Sequence, residues 1–236
     1  MDTFAFLKNK EHAMSTEYEH GTAGILLDSR TVVETRDYLT TGILTYAEGD
    51  IIEIELSDYR KFKLGDVVKL SIYSLGGIHT VHSSVVAIDN GVVIVLNPPE
   101  NQKKFLNKRE HPRVDIEEKG HITKVFHPQK DLNIASPIQI HIQNISIGGV
   151  GFLATGQPSL TLYETRVELQ LHIGHATACD VEVVRHEETE GGIYYGAKMV
   201  HFPQARINAL RAYILTKQIQ YRAVSRKQEF RSRLAN

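Results

Sequence analysis

The sequence predicts a mainly β chain: two small β-barrels followed by one C-terminal α-helix. Three observations predict it. Short runs of alternating apolar and polar residues follow one another from Gly24 to Leu96, and again from Val114 to Val200. A Pro98-Pro99 break separates the two series. Only beyond Pro203 does the apolar spacing lengthen from two residues to three and four.

The first twenty residues carry scattered charge without a period and read as a poorly ordered tail. A first barrel is expected over residues 21–100. Within it, Asp50–Leu56 and Asp66–Tyr73 alternate as half-buried strands do. His79–Ile88 and Gly91–Leu96 flank Asp89-Asn90-Gly91, a hairpin cue because Asn and Gly tolerate positive φ. Two adjacent prolines cannot continue a central strand, so the boundary is placed at Asn97–Gln102. Residues 101–236 form the second unit and open on a basic connector, Lys103–Arg113. Its strands are expected near Val114–Val125, Ile138–Asn144, Gly149–Ala154, Arg166–His172, Ala176–His186 and Ile193–Val200. Gly191-Gly192 marks the last turn. Ile207, Leu210, Ile214 and Tyr221, widened by Leu215 and Ile219, make one apolar helix face suited to covering the end or edge of the second barrel. Pro203 sits at the expected helix start, where its missing N–H costs little. The chain shows no internal repeat.

The totals narrow the function. A net charge of −1 over 236 residues argues against a general nucleic-acid binder, whose footprint is strongly basic. No segment approaches the ~20 apolar residues of a membrane span, and the N-terminus lacks a signal-peptide core. A soluble, cytoplasmic protein is therefore expected. The lone Cys179 reads as a buried, inert thiol. Twelve histidines fall into no recognised metal-ligand spacing, so no metal site is expected. No nucleophile elbow, P-loop or dinucleotide fingerprint appears, so no catalytic residue is assigned.

An anion site in such a chain must be local. The connector holds Lys108-Arg109-Glu110-His111-Pro112-Arg113. Arginine suits phosphate because its planar fork donates two parallel hydrogen bonds, and the same plane stacks on purines. Alone, the pair Arg109 and Arg113 reads first as plain surface charge. The second piece is Asn144-Ile145-Ser146-Ile147-Gly148-Gly149. Alternation puts Asn144 and Ser146 on one side of a strand, with donors and acceptors for a base edge. Gly148 and Gly149 permit a turn and close approach to a flat ligand. The segment also reads as a strand ending in a Gly-Gly turn, its polar side chains bonded to local backbone.

Arg109-x-x-x-Arg113 followed by Asn144-x-Ser146-x-x-Gly149 resembles the PilZ domain signature, RxxxR then [D/N]xSxxG. Tyr195-Gly196-Ala197-Lys198-Met199 is similar to a late PilZ strand. The likeness runs from about Lys103 to Arg222. With the strand-rich first half it extends to the two-domain YcgR-like proteins of the flagellar brake or clutch type. The resemblance implies an N-terminal split barrel, a six-stranded PilZ barrel and a non-enzymatic receptor. The implied ligand is cyclic di-GMP, with no cofactor. Lys108, Arg109 and Arg113 would hold its phosphates and guanine. Asn144 and Ser146 would contact guanine and a neighbouring phosphate or ribose, with Gly148 and Gly149 keeping the surface clear. Relatives that bind a nucleotide dimer carry Arg where this chain has Lys108, which leaves stoichiometry open. The implied output is a change of inter-domain arrangement acting on a protein partner. That partner would be the flagellar motor or another membrane-associated machine, to which the protein would be recruited. An adaptor that binds protein without nucleotide is the alternative. Six Lys or Arg between Lys217 and Asn236 against Glu229 alone suggest a basic output tail for an acidic partner or membrane surface, or simply a solubilising helix end.

Overall fold

The computed structural model describes residues 24–74, 76–102, 105, 111–126, 132–155, 162, 165–174 and 176–234. The expected N-terminal tail, and Lys108 and Arg109 of the connector, lie outside these residues. Among the described residues, twelve strands form two closed antiparallel barrels. The first contains β1 (Arg30–Glu34), β2 (Leu39–Glu48), β3 (Ile51–Glu55), β4 (Val67–Ser74), β5 (Gly77–Asp89) and β6 (Val92–Leu96). A single helical turn, α1 (Pro99–Gln102), follows where the two prolines stop the sheet. The second barrel contains β7 (Val114–Phe126), β8 (Leu132–Ser146), β9 (Gly149–Ala154), β10 (Arg166–His172), β11 (Ala176–Thr189) and β12 (Gly192–His201). The C-terminal helix α2 runs from Ile207 to Leu234, behind a 3₁₀ turn that Pro203 precedes.

Alternation drives each barrel. Val68, Leu70 and Ile72 of β4 point inward beside Ile52 and Ile54 of β3 and Val93 and Val95 of β6. The β5–β6 turn has positive φ at both Asn90 and Gly91, as an Asn-Gly hairpin requires. The second core gathers Ile122, Ile140, Ile142, Ile145, Phe152, Leu169, Leu171, Val181 and Val183, with Leu210 and Ile214 of α2 closing it. Phe105 of the connector packs into the first core and bridges to Ile25.

The strand order is β1-β2-β3-β6-β5-β4 in the first barrel and β7-β8-β9-β12-β11-β10 in the second. Renumbered from one, these are the same order. The sequence shows no repeat because a barrel asks only for inward apolar side chains at alternate positions, not for particular residues.

The helix does more than the sequence predicts. Its first turns close the second barrel; its later turns lie on the outer face of β3. Ile51 and Glu53 point outward there, opposite Leu96 and Ile94 of β6, yet both are buried. Glu53, only 1% exposed, accepts hydrogen bonds from Arg222 Nε at 3.1 Å and Arg222 Nη2 at 3.0 Å, and from Thr45 Oγ1 at 2.8 Å. Arg226 Nη1 lies 3.8 Å from the same carboxylate, and its Nη2 donates to the Asp89 carbonyl at 3.0 Å. Two of the six tail cations are therefore spent inside the molecule. Tyr221, placed by its spacing on the apolar stripe, is 66% exposed. The stripe turns toward the first barrel at this point, and Tyr221 falls outside it.

One residue joins all three bodies. Gly49, at the β2–β3 turn, has φ +61°, and a Cβ there would lie 2.5 Å from Pro112 and 2.6 Å from Gln218. The neighbouring Asp50 N–H donates to Gln218 Oε1 at 3.3 Å. The missing side chain lets the connector and the helix meet the first barrel.

Two outcomes follow from this packing. Glu53→Ala should lower stability by about 3–5 kcal/mol, because it strands two guanidinium groups in a buried contact; a denaturant midpoint equal to wild type would refute the buried pair. Burial pushes the Cys179 thiol up to about 12. A thiol reagent at pH 8 should therefore leave it unlabelled until the barrel unfolds.

Candidate functional site

The site is built on the outer face of the second barrel. Asp115, Asn144, Gly151, Gly196 and Arg185 are successive cross-strand neighbours on β7, β8, β9, β12 and β11. Two glycines in the middle of this row leave a trough between Asn144 and Arg185. A Cβ on Gly151 would stand 2.2 Å from the Tyr194 hydroxyl and 2.6 Å from Asn144 Nδ2. With glycine there, Asn144 Nδ2 donates to Tyr194 Oη at 3.0 Å across the gap. The Arg185 guanidinium lies over the Tyr194 ring, 5.3 Å from its centroid.

Two irregularities set these side chains. The β8–β9 register shifts between Ile142 and Asn144, so Gln143 is the extra residue and Asn144 faces outward beside Gly151. The β11–β12 register shifts between Val183 and Arg185, so Val184 and Arg185 are both exposed. Bulges re-aim side chains in this way.

The trough is a cavity of about 270 Å³ lined by Arg113, Asn144, Gly148, Gly149, Val184, Arg185, Tyr194 and Lys198, among others. It adjoins a second cavity of about 380 Å³, which shares Arg113, Asn144, Arg185 and Tyr194. The second reaches Tyr46 and Glu48 of the first barrel and Lys217, Gln218 and Tyr221 of α2. Arg113, Arg185, Lys198 and Lys217 bring four cations to this groove, against Glu48 and Asp115. Charge-assisted donors converging beside an aromatic ring suit a planar anion.

The sequence-predicted residues divide here. Arg113, Asn144, Gly148 and Gly149 line the trough. Ser146 is not among its lining: it is 3% exposed, and its hydroxyl donates to the Gly149 carbonyl at 3.3 Å. That is the local backbone bond left open by the sequence. Gly149 permits close strand approach, since a Cβ would meet the Ala197 carbonyl at 2.5 Å. Gly148 faces His111 of the connector, 2.7 Å from where a Cβ would lie. Arg185, Tyr194, Gly151, Gly196 and Lys198 were not singled out as site residues. Tyr194, Gly196 and Lys198 alternate and so share one face of β12, a signal present in the sequence. Arg185 sits beyond a bulge that shifts the alternation, so its facing was not readable.

Among the described residues no group of three or more His, Cys, Asp and Glu could hold a metal ion, and no helix is long and apolar enough to cross a membrane.

A comparison with curated proteins gave no match. Among solved structures, the Bacillus subtilis inhibitor of motility (MotI/DgrA) is similar at 14% identity, over 83% of this chain and 99% of that one, with a TM-score of 0.38. The PilZ domain of Escherichia coli YcgR, solved with c-di-GMP, is similar at 14% identity over 51% of this chain and 99% of its own, with a TM-score of 0.40. The Borreliella burgdorferi PlzA protein, in complex with c-di-GMP, is similar at 11% identity over 88% and 99%, with a TM-score of 0.34. The family model of the PilZ domain matches residues 107–216, a span holding both sequence motifs, the whole second barrel and the start of α2. Residues 107–216, just under half of the chain, are similar to the PilZ domain.

Proposed function

We propose that the protein is a non-enzymatic receptor for cyclic di-GMP, with the trough of the second barrel as the nucleotide site. The observation that carries this reading is the meeting of Arg113 with Asn144, the two halves of the PilZ signature, on one cavity. Arg185 and Lys198 add charge there, and Tyr194 and Arg185 offer flat faces for guanine. Arg109 belongs to the same signature and, with Lys108 just before it, would join Arg113 on the phosphates. Ser146, Gly148 and Gly149 would shape the turn beneath the base. Nucleotide recovered intact after long incubation is the outcome expected of a receptor.

The signal would leave through the junction. Pro112 precedes Arg113 and faces Gly49 of the first barrel. A polyanion that draws Arg113 onto the second barrel therefore acts on the contact between residues 21–100 and 101–236. The effect is bounded by the difference in nucleotide affinity between the two arrangements. The output would be a protein partner in the cytoplasm, with flagellar motility first to be examined on the layout of two barrels and a helix.

A second reading is an adaptor that works without nucleotide. The hydroxyl of Ser146, turned into its own loop, favours it.

Calorimetric titration with cyclic di-GMP separates the two. Wild type should bind, and Arg113→Ala should lose affinity by about 10- to 100-fold, the loss of one charged forked contact. Equal affinity in the two proteins would misplace the site, and no binding by either would leave the adaptor. Small-angle scattering should change on nucleotide addition; superimposable curves would remove the rearrangement while leaving the receptor.

A further inference from the structure

We propose that the C-terminal helix is a third wall of the nucleotide site, on which Tyr221 stacks a guanine and Lys217 meets a phosphate. This rests on the receptor reading above and extends it to residues outside the second barrel.

The first argument is size. Sites that enclose ligands of drug size run to about 300–1,000 Å³. The trough alone, about 270 Å³, falls short of that range. It continues into the cavity of about 380 Å³ that α2 and the first barrel wall off, and the two joined fall within it. The joined groove offers a ligand carrying two purines and two phosphates walls that the trough alone does not supply.

The second argument is the chemistry of the added wall. Lys217 and Tyr221 lie four apart on α2, one turn along the same face. Both line the shared groove opposite Arg113 and Asn144. Tyr221 is among the most exposed large side chains of the described residues and has no place in either core. An aromatic ring left bare on a helix beside guanidinium groups presents a stacking platform, and such platforms accept a base through its π-face. Lys217 is held at the edge of the groove, 5.3 Å from the Tyr213 ring centroid and 3.8 Å from Glu118.

The third argument is rigidity. The residue after Tyr221 is Arg222, which forks onto buried Glu53 and lies 4.9 Å from the centroid of the Tyr46 ring, itself part of the groove. The helix wall is thus fixed to the first barrel at the very turn that carries the exposed ring. A site formed on a fixed wall loses little entropy on closing around its ligand.

The test is titration of the full chain with cyclic di-GMP, comparing wild type, Arg113→Ala, Tyr221→Ala, Tyr221→Phe and Lys217→Gln. Tyr221→Ala should weaken binding by about tenfold, within the range for a lost base–aromatic stack. Its melting temperature should match wild type, since the ring is solvent-exposed. Tyr221→Phe should bind as wild type does. Lys217→Gln should weaken binding and reduce its dependence on salt. The chain has ten Tyr and no Trp, so stacking is also readable as tyrosine fluorescence quenched by nucleotide. The part of that quench due to Tyr221 should vanish in Tyr221→Phe without loss of affinity. If Arg113→Ala loses binding while Tyr221→Ala and Lys217→Gln keep wild-type affinity, the third wall is wrong and the receptor stands. If wild type binds no cyclic di-GMP, both readings fall together.

Discussion

A carboxylate that is 1% exposed cannot stand alone, and the arrangement of this molecule turns on how Glu53 is satisfied. Its charged partners come from a helix more than 160 residues away in sequence. Burial works against the charge on Arg222, but the hydrogen bonds and charge of Glu53 outweigh it and hold the guanidinium firmly protonated. Neither partner can be removed without stranding the other in a buried contact. Ile51 beside Glu53 is buried by the same contact. A helix that by its first turns belongs to the second barrel is thereby committed to the first as well.

That commitment shapes the groove. At about 1.5 Å per residue, the 28 residues of α2 reach roughly 40 Å, enough to serve both barrels. Lys217 and Gln218 fall at the crossing, where the helix passes from one barrel to the other and where Gly49 admits Pro112. Motif residues on the second barrel, the connector and the first-barrel turn all meet there. Tyr46 shows the same convergence: burial, with the nearby Glu48 carboxylate, raises its hydroxyl above the usual tyrosine range, while its ring lies under Arg222.

Much of the fold was legible because closed barrels repeat one demand. The alternation of Asp66–Tyr73, the Asn90-Gly91 turn and the proline stop at Pro98-Pro99 each fixed an element by local chemistry. The helix was legible as a helix, and Leu210 and Ile214 as its buried face, but Tyr221 was not placed correctly. A stripe read for one surface fails when the helix serves two. Arg222 and Arg226 read as tail charge because their acceptors, Glu53 and Asp89, are distant in sequence and Glu53 resembles any outward residue of an alternating strand. In the site, Arg113 and Asn144 were legible through a motif and converge. Arg185 was hidden by the bulge at Val184, and Gly151 by a role that exists only across strands, as space for a hydroxyl on β12.

Closure of both barrels has a further consequence. Each sheet runs round on itself, β1 to β4 and β7 to β10, so every described strand has a bonded neighbour on both sides over part of its length. An added strand therefore finds no described edge that is open along its whole length. The outward side chains of these rings can be remodelled by substitution without disturbing the backbone hydrogen bonds beneath them.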